Sequence, residues 1–276
     1  MSGGWRDLIK NDPLPWLLEP DLENPAVRYL ALRDLESLPQ DSTELIQAKA
    51  RAFSGGTIAN ILAKQRPDGY WVKPGGGYGP KFTGSVWSLT TLAQAGADRT
   101  EPKVLRAAEY ILEHTLSAVG WFSYNGSDHG FLHCHSGYLG ATMLDLGFGD
   151  DPRVMTAIDW HSRIITGEGI AGIDSEDAAR YYHYAPGPDF ICSSNAKKPC
   201  AWGAVKALGA LGRVPAIRRT PTMQTAIDHV RQFFFNTDLT VCDFPTRDKT
   251  NNSNSWFKFG FPLLYASDML EVLEAM

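Results

Sequence analysis

The stretch SGYLGATMLDLGFGDDPRVMTAIDWHSRI, residues 136–164, decides the fold because it joins two helices of different character. Its first part, 136–147, is apolar, rich in small residues and ends at a glycine, a common helix C-cap. Its second part starts with an acidic residue and a proline, as helix N-termini often do, and carries charges on one face. The stretch therefore predicts a buried helix followed by an amphipathic one.

The same pair of helices occurs twice more in the chain, which is the mark of a repeat architecture. An apolar helix at 84–96 precedes an amphipathic one at 101–114, and 200–212 precedes 220–234, where TAIDH repeats the TAIDW of 156–160. Strand signals are few. We expect an all-α fold with inner and outer helices, as one domain over 1–276 with an N-terminal extension at 1–23. Further helices are predicted at 24–38, 57–65 and 261–276.

Helix pairs of this kind either stack as an open solenoid or close into a ring. Closure is favoured here because the final apolar helix reaches the C-terminus without a polar capping repeat. In a closed ring the inner helices run in the same direction, so their N-termini meet at one mouth. Alignment of the inner helices by Gly96, Gly147 and Gly212 then predicts that His135 lies opposite Cys200, with Cys134 nearby.

One motif carries a family resemblance. AKQRPDGYW, residues 63–71, resembles the Gln-x-x-x-Gly-x-Trp repeat of the terpenoid (squalene) cyclase and protein prenyltransferase superfamily. The resemblance implies an α/α toroid, a ring of inner and outer helices around a central cavity. Cys-His at 134–135 and Cys200 before Ala-Trp-Gly are similar to the zinc motifs of lanthionine cyclases, although here they come in the opposite order. The Asp-x-Asp-Asp motif of protonating cyclases is absent from the sequence.

The segment FLHCHSGYLG, residues 131–140, and the loop DFICSSNAKKPC, residues 189–200, predict a metal site. Three thiolates and an imidazole are a usual tetrahedral ligand set for zinc, and helix N-termini stabilise thiolates. We expect zinc to be the cofactor, with His133 acting catalytically or supporting a ligand. Two alternatives are buried cysteines without a metal and a disulfide within the loop. The predicted ligands are Cys134, His135, Cys192 and Cys200.

Two further groups of residues are candidates for chemistry or binding. The loop ARYYHYAPGPDF, residues 179–190, offers Tyr182, His183 and Asp189 as acid–base groups near the metal, or else packs as an aromatic cover. Tryptophans are expected to line an apolar binding wall, although large aromatic residues also fill ordinary cores. These tryptophans are Trp71, Trp87, Trp202 and Trp256.

Composition narrows the function. A net charge of −5 over 276 residues argues against nucleic-acid binding, which needs a basic face. Neither a signal peptide nor a membrane-spanning stretch is visible in the sequence, which predicts a cytoplasmic protein. With the family resemblance, these features predict a zinc-dependent enzyme, of cyclase, lyase or transferase type, that acts on a small apolar, isoprenoid-like molecule in the ring. The alternative is a non-catalytic binding or scaffold toroid with a structural zinc.

Overall fold

The computed structural model describes residues 8–168, 189–247 and 254–276. Helices dominate this part of the chain, which confirms the prediction of an all-α fold, and the strands in it form one short hairpin. None of the described helices is long and apolar enough to cross a membrane. The helices are α1 (Leu14–Leu17), α2 (Pro25–Leu30), α3 (Thr43–Ser54), α4 (Gly56–Ala63), α5 (Ser85–Gln94), α6 (Pro102–Thr115), α7 (His133–Asp145), α8 (Pro152–Thr166), α9 (Ala201–Arg213), α10 (Pro221–Phe235) and α11 (Met269–Ala275), and the strands are β1 (Ile191–Cys192) and β2 (Lys198–Pro199).

The amphipathic helices α6, α8 and α10 begin where the repeat predicts. In each of them a proline occupies the first turn, where its missing N–H costs no hydrogen bond. The residue before the proline is an N-cap whose side chain accepts a backbone N–H of the first turn. These N-caps are Glu101, Asp151 and Thr220.

The apolar helices α5, α7 and α9 lie side by side and run in the same direction. Between α5 and α7, the Trp87 and Tyr138 rings are 5.2 Å apart, and Thr142 Oγ1 donates to Thr90 Oγ1 at 3.0 Å further along both helices. Between α7 and α9, a Cβ placed on Gly137 would lie 2.4 Å from the backbone carbon of Lys206. Glycine at 137 therefore lets the backbones of α7 and α9 touch.

The predicted register between α7 and α9 is wrong by about one and a half turns. Gly96 and Gly147 end their helices with positive φ, but Gly212 lies inside α9, which continues to Arg213. Alignment at Gly212 therefore used a residue that does not end its helix. In the structure Gly203 of α9 faces His133, whereas the alignment had matched His135 with Cys200.

The predicted helix at 261–276 is only partly formed. Residues 261–268 are not helical, and α11 starts after Asp268, which caps it by accepting the Glu271 N–H at 2.9 Å. The predicted helix at 24–38 is α2 followed by a π-helical turn over Ala31–Leu35, and α3 was not predicted.

The C-terminal segment, residues 261–276, packs against both ends of the row of inner helices. Leu263 N–H donates to the Gln94 side-chain oxygen of α5 at 2.9 Å. Lys206 of α9, a buried side chain, forms an ion pair with Glu271 of α11 at 2.6 Å. One continuous hydrophobic core therefore extends from Tyr29 near the N-terminus to Val272 in α11.

Candidate metal centre

The hairpin brings two cysteines together. Strands β1 and β2 pair with Cys192 opposite Lys198, and the Cys200 N–H donates to Phe190 O at 3.0 Å just beyond the paired residues. Asn195 secures the connecting turn by donating from its side chain to Pro199 O at 2.8 Å. Cys192 and Cys200 are therefore diagonal neighbours across the hairpin.

A third cysteine reaches the same place from α7. Cys134 is the second residue of α7, and Cys200 is the N-cap of α9, so the N-termini of two parallel helices converge on the hairpin. The thiols border a cavity of about 20 Å³, which has room for about one water-sized group. The cavity is lined by Phe131, Leu132, His133, Cys134, Ile191, Cys192, Cys200 and Gly203.

The three thiols differ in their electrostatic surroundings. The pKa of Cys192 is lowered to about 6, chiefly by the hydrogen bond with Cys200 and also by backbone N–H groups of Asn195 and Ser194. The pKa of Cys134 is raised to about 11, chiefly by burial and then by the charge of Cys192. The pKa of Cys200 is raised by its hydrogen bond with Cys192 and by burial. Of the three thiols, Cys192 is therefore the one whose pKa is lowered.

His133 lies on the wall of the cavity and contacts a second buried histidine. Its Nδ1 is 3.2 Å from Nε2 of His161, which α8 supplies. The Phe131 ring packs edge-on against both imidazoles, at 5.3 Å from His133 and 5.4 Å from His161. Burial, and secondarily the proximity of His133, holds the pKa of His161 well below its usual range. His161 was not predicted from the sequence, because its contact with His133 depends on how α8 packs against α7.

His135, the predicted fourth ligand, lies away from the thiols. Its ring packs against Tyr78 at 5.7 Å and Tyr138 at 5.3 Å, on the side of α7 that faces α5. Burial lowers its pKa to about 3, and its two ring nitrogens have no hydrogen-bond partner among the described residues. His135 is not among the residues that line the cavity, whereas the three predicted cysteine ligands are.

The predicted acid–base group is only partly described. Tyr182 and His183 lie outside the described residues. Asp189 is exposed, and its carboxylate lies 3.6 Å from Nδ1 of His229 on α10. Asp189 is therefore directed toward α10, while His133 is the imidazole in the wall of the cavity.

The four tryptophans predicted to line a binding wall are packed in the protein. Trp71 and Trp87 are buried, and their indole N–H groups donate to Ile61 O and Tyr78 O, both at 2.8 Å. Trp256 is buried against Phe244, with ring centroids 4.6 Å apart. Trp202 is half-buried. These contacts are those of core residues, and Trp202 keeps the most exposure.

The three thiols and His133 match the residue types that bind zinc, but they are not already gathered around an ion position. Among the described residues, no group of three or more His, Cys, Asp or Glu side chains is arranged to hold a metal ion. Zinc ligands lie about 2.0–2.3 Å from the ion. Zinc binding at the cavity therefore requires the thiols to close around the ion.

No protein family, curated protein or solved structure matches the chain.

Proposed function

We propose that this chain is a zinc-binding α/α-toroid protein that binds an apolar molecule without converting it. The zinc links the N-terminal ends of two inner helices. The observation that carries this proposal is the meeting of Cys134, Cys192 and Cys200 around one cavity. The three come from two helix N-termini and a hairpin. Thiolates of this origin are a usual ligand set for structural zinc.

The contacts between helices support the toroid. The parallel helices α5, α7 and α9 form the inner row, and the C-terminal segment contacts α9 through Glu271 and α5 through Leu263. Contacts of the C-terminal segment with both α9 and α5 are those that a closed ring requires. In the Gln-x-x-x-Gly-x-Trp motif, Gln65 donates to Lys103 O of α6 at 2.8 Å, which ties the end of α4 to the outer layer.

An aromatic cluster favours binding of an apolar molecule. Phe82 is 57% exposed and stacks on Tyr265 at 5.8 Å, and Trp202 packs edge-on against the same tyrosine at 5.7 Å. This cluster lies next to the N-terminus of α9, two residues from Cys200. Aromatic side chains that keep exposed faces supply the apolar contact that small-molecule sites use.

A zinc-dependent enzyme is the second candidate, and the space beside the thiols favours it. Catalytic zinc sites keep one position for water or substrate, and the cavity of about 20 Å³ has room for about one such group. The metal, when bound, would act there as a Lewis acid. The packing of Trp87 favours the binding function. This residue was expected to line the substrate cavity of an enzyme, but it is fully buried among Tyr78, Tyr138 and Tyr265.

The zinc site is tested by the metal content of protein purified under reducing conditions, without chelator or polyhistidine tag. We expect about one zinc per chain in the wild type and its loss in Cys134→Ala, Cys192→Ala and Cys200→Ala. Cys242→Ala is the matched control, because Cys242 is buried elsewhere, with its thiol near Leu239 O. Circular dichroism verifies that each variant is folded.

Two outcomes would contradict the proposal. The first is wild-type protein that stays metal-free after incubation with zinc and dialysis. The second is zinc retained equally in the four cysteine variants. An apolar fluorescent probe, titrated into the wild type and Phe82→Ala, tests the binding surface separately, and we expect weaker binding to the variant.

A further inference from the structure

The identity of the fourth zinc ligand follows from the geometry around the cavity, and this inference rests on the proposed zinc site. A structural zinc has four protein ligands in most cases. The cavity wall supplies three thiols and one imidazole, that of His133. His135 has its ring between Tyr78 and Tyr138 instead.

Close packing between α7 and α9 places His133 against the first turn of α9, beside the cavity. A Cβ placed on Gly203 would lie 2.9 Å from the His133 Cβ, so any side chain at 203 would displace this histidine. Gly203 is itself part of the cavity wall, one turn into α9 from Cys200. The first turn of α9 therefore leaves space for the imidazole beside the thiols.

His161 sets which nitrogen of His133 can bind a metal. The contact of 3.2 Å joins Nδ1 of His133 to Nε2 of His161, so one of these nitrogens donates and the other accepts. When His133 donates through Nδ1–H, its Nε2 carries the lone pair. Histidine ligands of metals almost always donate their other ring N–H to a neighbouring group in this way.

We propose that His133 completes a Cys₃His zinc site through Nε2, together with Cys134, Cys192 and Cys200, and that His161 positions the His133 ring by accepting its Nδ1–H. Binding releases the protons of the thiols to solvent. Three thiolates, a neutral imidazole and Zn²⁺ leave one net negative charge. The N-termini of α7 and α9, which carry partial positive charge, stabilise that charge.

The proposal is tested with three histidine variants that keep an aromatic ring of similar size. Zinc affinity is measured by competition with a chromophoric chelator, and ligand geometry by the absorption spectrum of the Co²⁺-loaded protein. We expect His133→Phe to lose at least about 100-fold in affinity and to change the Co²⁺ spectrum. His161→Phe should lose about 10–100-fold and keep the wild-type spectrum, as loss of a positioning residue does. His135→Phe is the control and should match the wild type.

A second measurement needs no variant. In Cd²⁺-loaded wild-type protein, made with the ¹¹³Cd isotope, we expect a scalar correlation between the metal and ring protons of His133. A wild-type Co²⁺ spectrum and affinity in His133→Phe would overturn the proposal, and so would a metal correlation to His135. Wild-type protein that binds no metal would instead refute the zinc site itself, so the two failures are distinguishable.

Discussion

At the scale of single residues, Gly137 controls how closely α7 and α9 approach. Its Cα faces the backbone of Lys206, and an added Cβ would lie 2.4 Å from the Lys206 carbonyl carbon and 2.6 Å from its oxygen. A backbone contact cannot be relieved by rotating a side chain. The two helices would have to move apart along their whole interface, and the residues at their N-termini would move with them.

We therefore expect Gly137→Ala to lower the free energy of unfolding by about 3 kcal/mol, at the upper end of overpacking effects. Gly212→Ala is the matched control, because Gly212 lies in α9 and a Cβ added there would have nothing within 4 Å. That variant should gain about 0.5 kcal/mol from the better helix propensity of alanine. Urea unfolding measures both values. Equal stability of the two variants would show that α7 and α9 do not touch at Gly137.

The two histidines beside Cys134 show where sequence reasoning stopped at this scale. Neighbouring residues on a helix point about 100° apart, so His133 and His135, two positions apart, face different sides of α7. The sequence predicted that the two could not both point inward; in the structure both are buried, but their rings have different neighbours. The choice of His135 as the zinc ligand depended on the predicted register between α7 and α9. That register was wrong because the alignment used Gly212 as a helix end, whereas Gly212 lies inside α9. The pairing of His133 with His161 required the packing of α8, which no local pattern encodes.

At the scale of elements, the outer helices are defined by their first turns. Asp151 caps α8 by accepting the Arg153 N–H at 2.8 Å, and its carboxylate also pairs with the Arg153 guanidinium at 2.6 Å. The same guanidinium reaches Glu109 of α6 at 2.9 Å, so the cap also links neighbouring outer helices. The hydrogen bond from Arg153 lowers the pKa of Asp151.

Asp151→Asn removes the negative charge but keeps the helix cap, because asparagine is an equally good N-cap. The Arg153 side chain is 42% exposed, so solvent screens the pair, and we expect a loss of only about 0.5 kcal/mol at pH 7. Asp151→Ala loses the cap as well and should cost about 1 kcal/mol more.

The pH dependence of the Asp151→Asn effect follows from the direction of the pKa shift. The folded carboxyl has the lower pKa, so its contribution is present above its unfolded pKa of about 4 and is lost as the pH falls through the folded pKa. The difference in unfolding free energy between wild type and Asp151→Asn should therefore shrink from pH 7 to pH 2.5. A difference that stays constant over this range would mean that the ion pair contributes nothing.

The sequence predicted the outer helices of the repeat well, but it did not predict α3 or the hairpin. Helices α6, α8 and α10 each have a first-turn proline, an N-cap and a full apolar face, so all the local sequence signals predict the same helix. The hairpin β1–β2 has two residues in each strand, too few for any alternating pattern. It is nevertheless the element that brings Cys192 to Cys200. The ring geometry of the repeats predicted that Cys134 lies near Cys200, and the short loop between Cys192 and Cys200 predicted that Cys192 joins them.

At the scale of the whole molecule, the packing of the inner helices determines how much space their inward-facing side chains leave. The rings of Tyr78, Tyr138 and Tyr265 each lie within 6 Å of Trp87, which is fully buried. Sequence patterns identify which residues face inward, but not whether they leave space between them. Trp87, which was predicted to line a binding wall, therefore packs as a core residue among these tyrosines.

Closure of the ring is testable where the C-terminal segment meets α5. The Gln94 side chain donates to Leu263 O and accepts the Leu263 N–H, so Gln94→Leu leaves two backbone groups without their partners. Each loss of this kind costs about 1–3 kcal/mol when the group is buried, and Leu263 is half-buried.

For Gln94→Leu we expect faster amide hydrogen exchange over residues 261–276, with α6 and α8 unchanged. Gln224→Leu is the control, because the Gln224 side chain donates to Asp228 of the same helix, α10, at 3.2 Å. If the segment were held by α9 alone, Gln94→Leu would leave its exchange as slow as in the control, and the inner helices would form an open row.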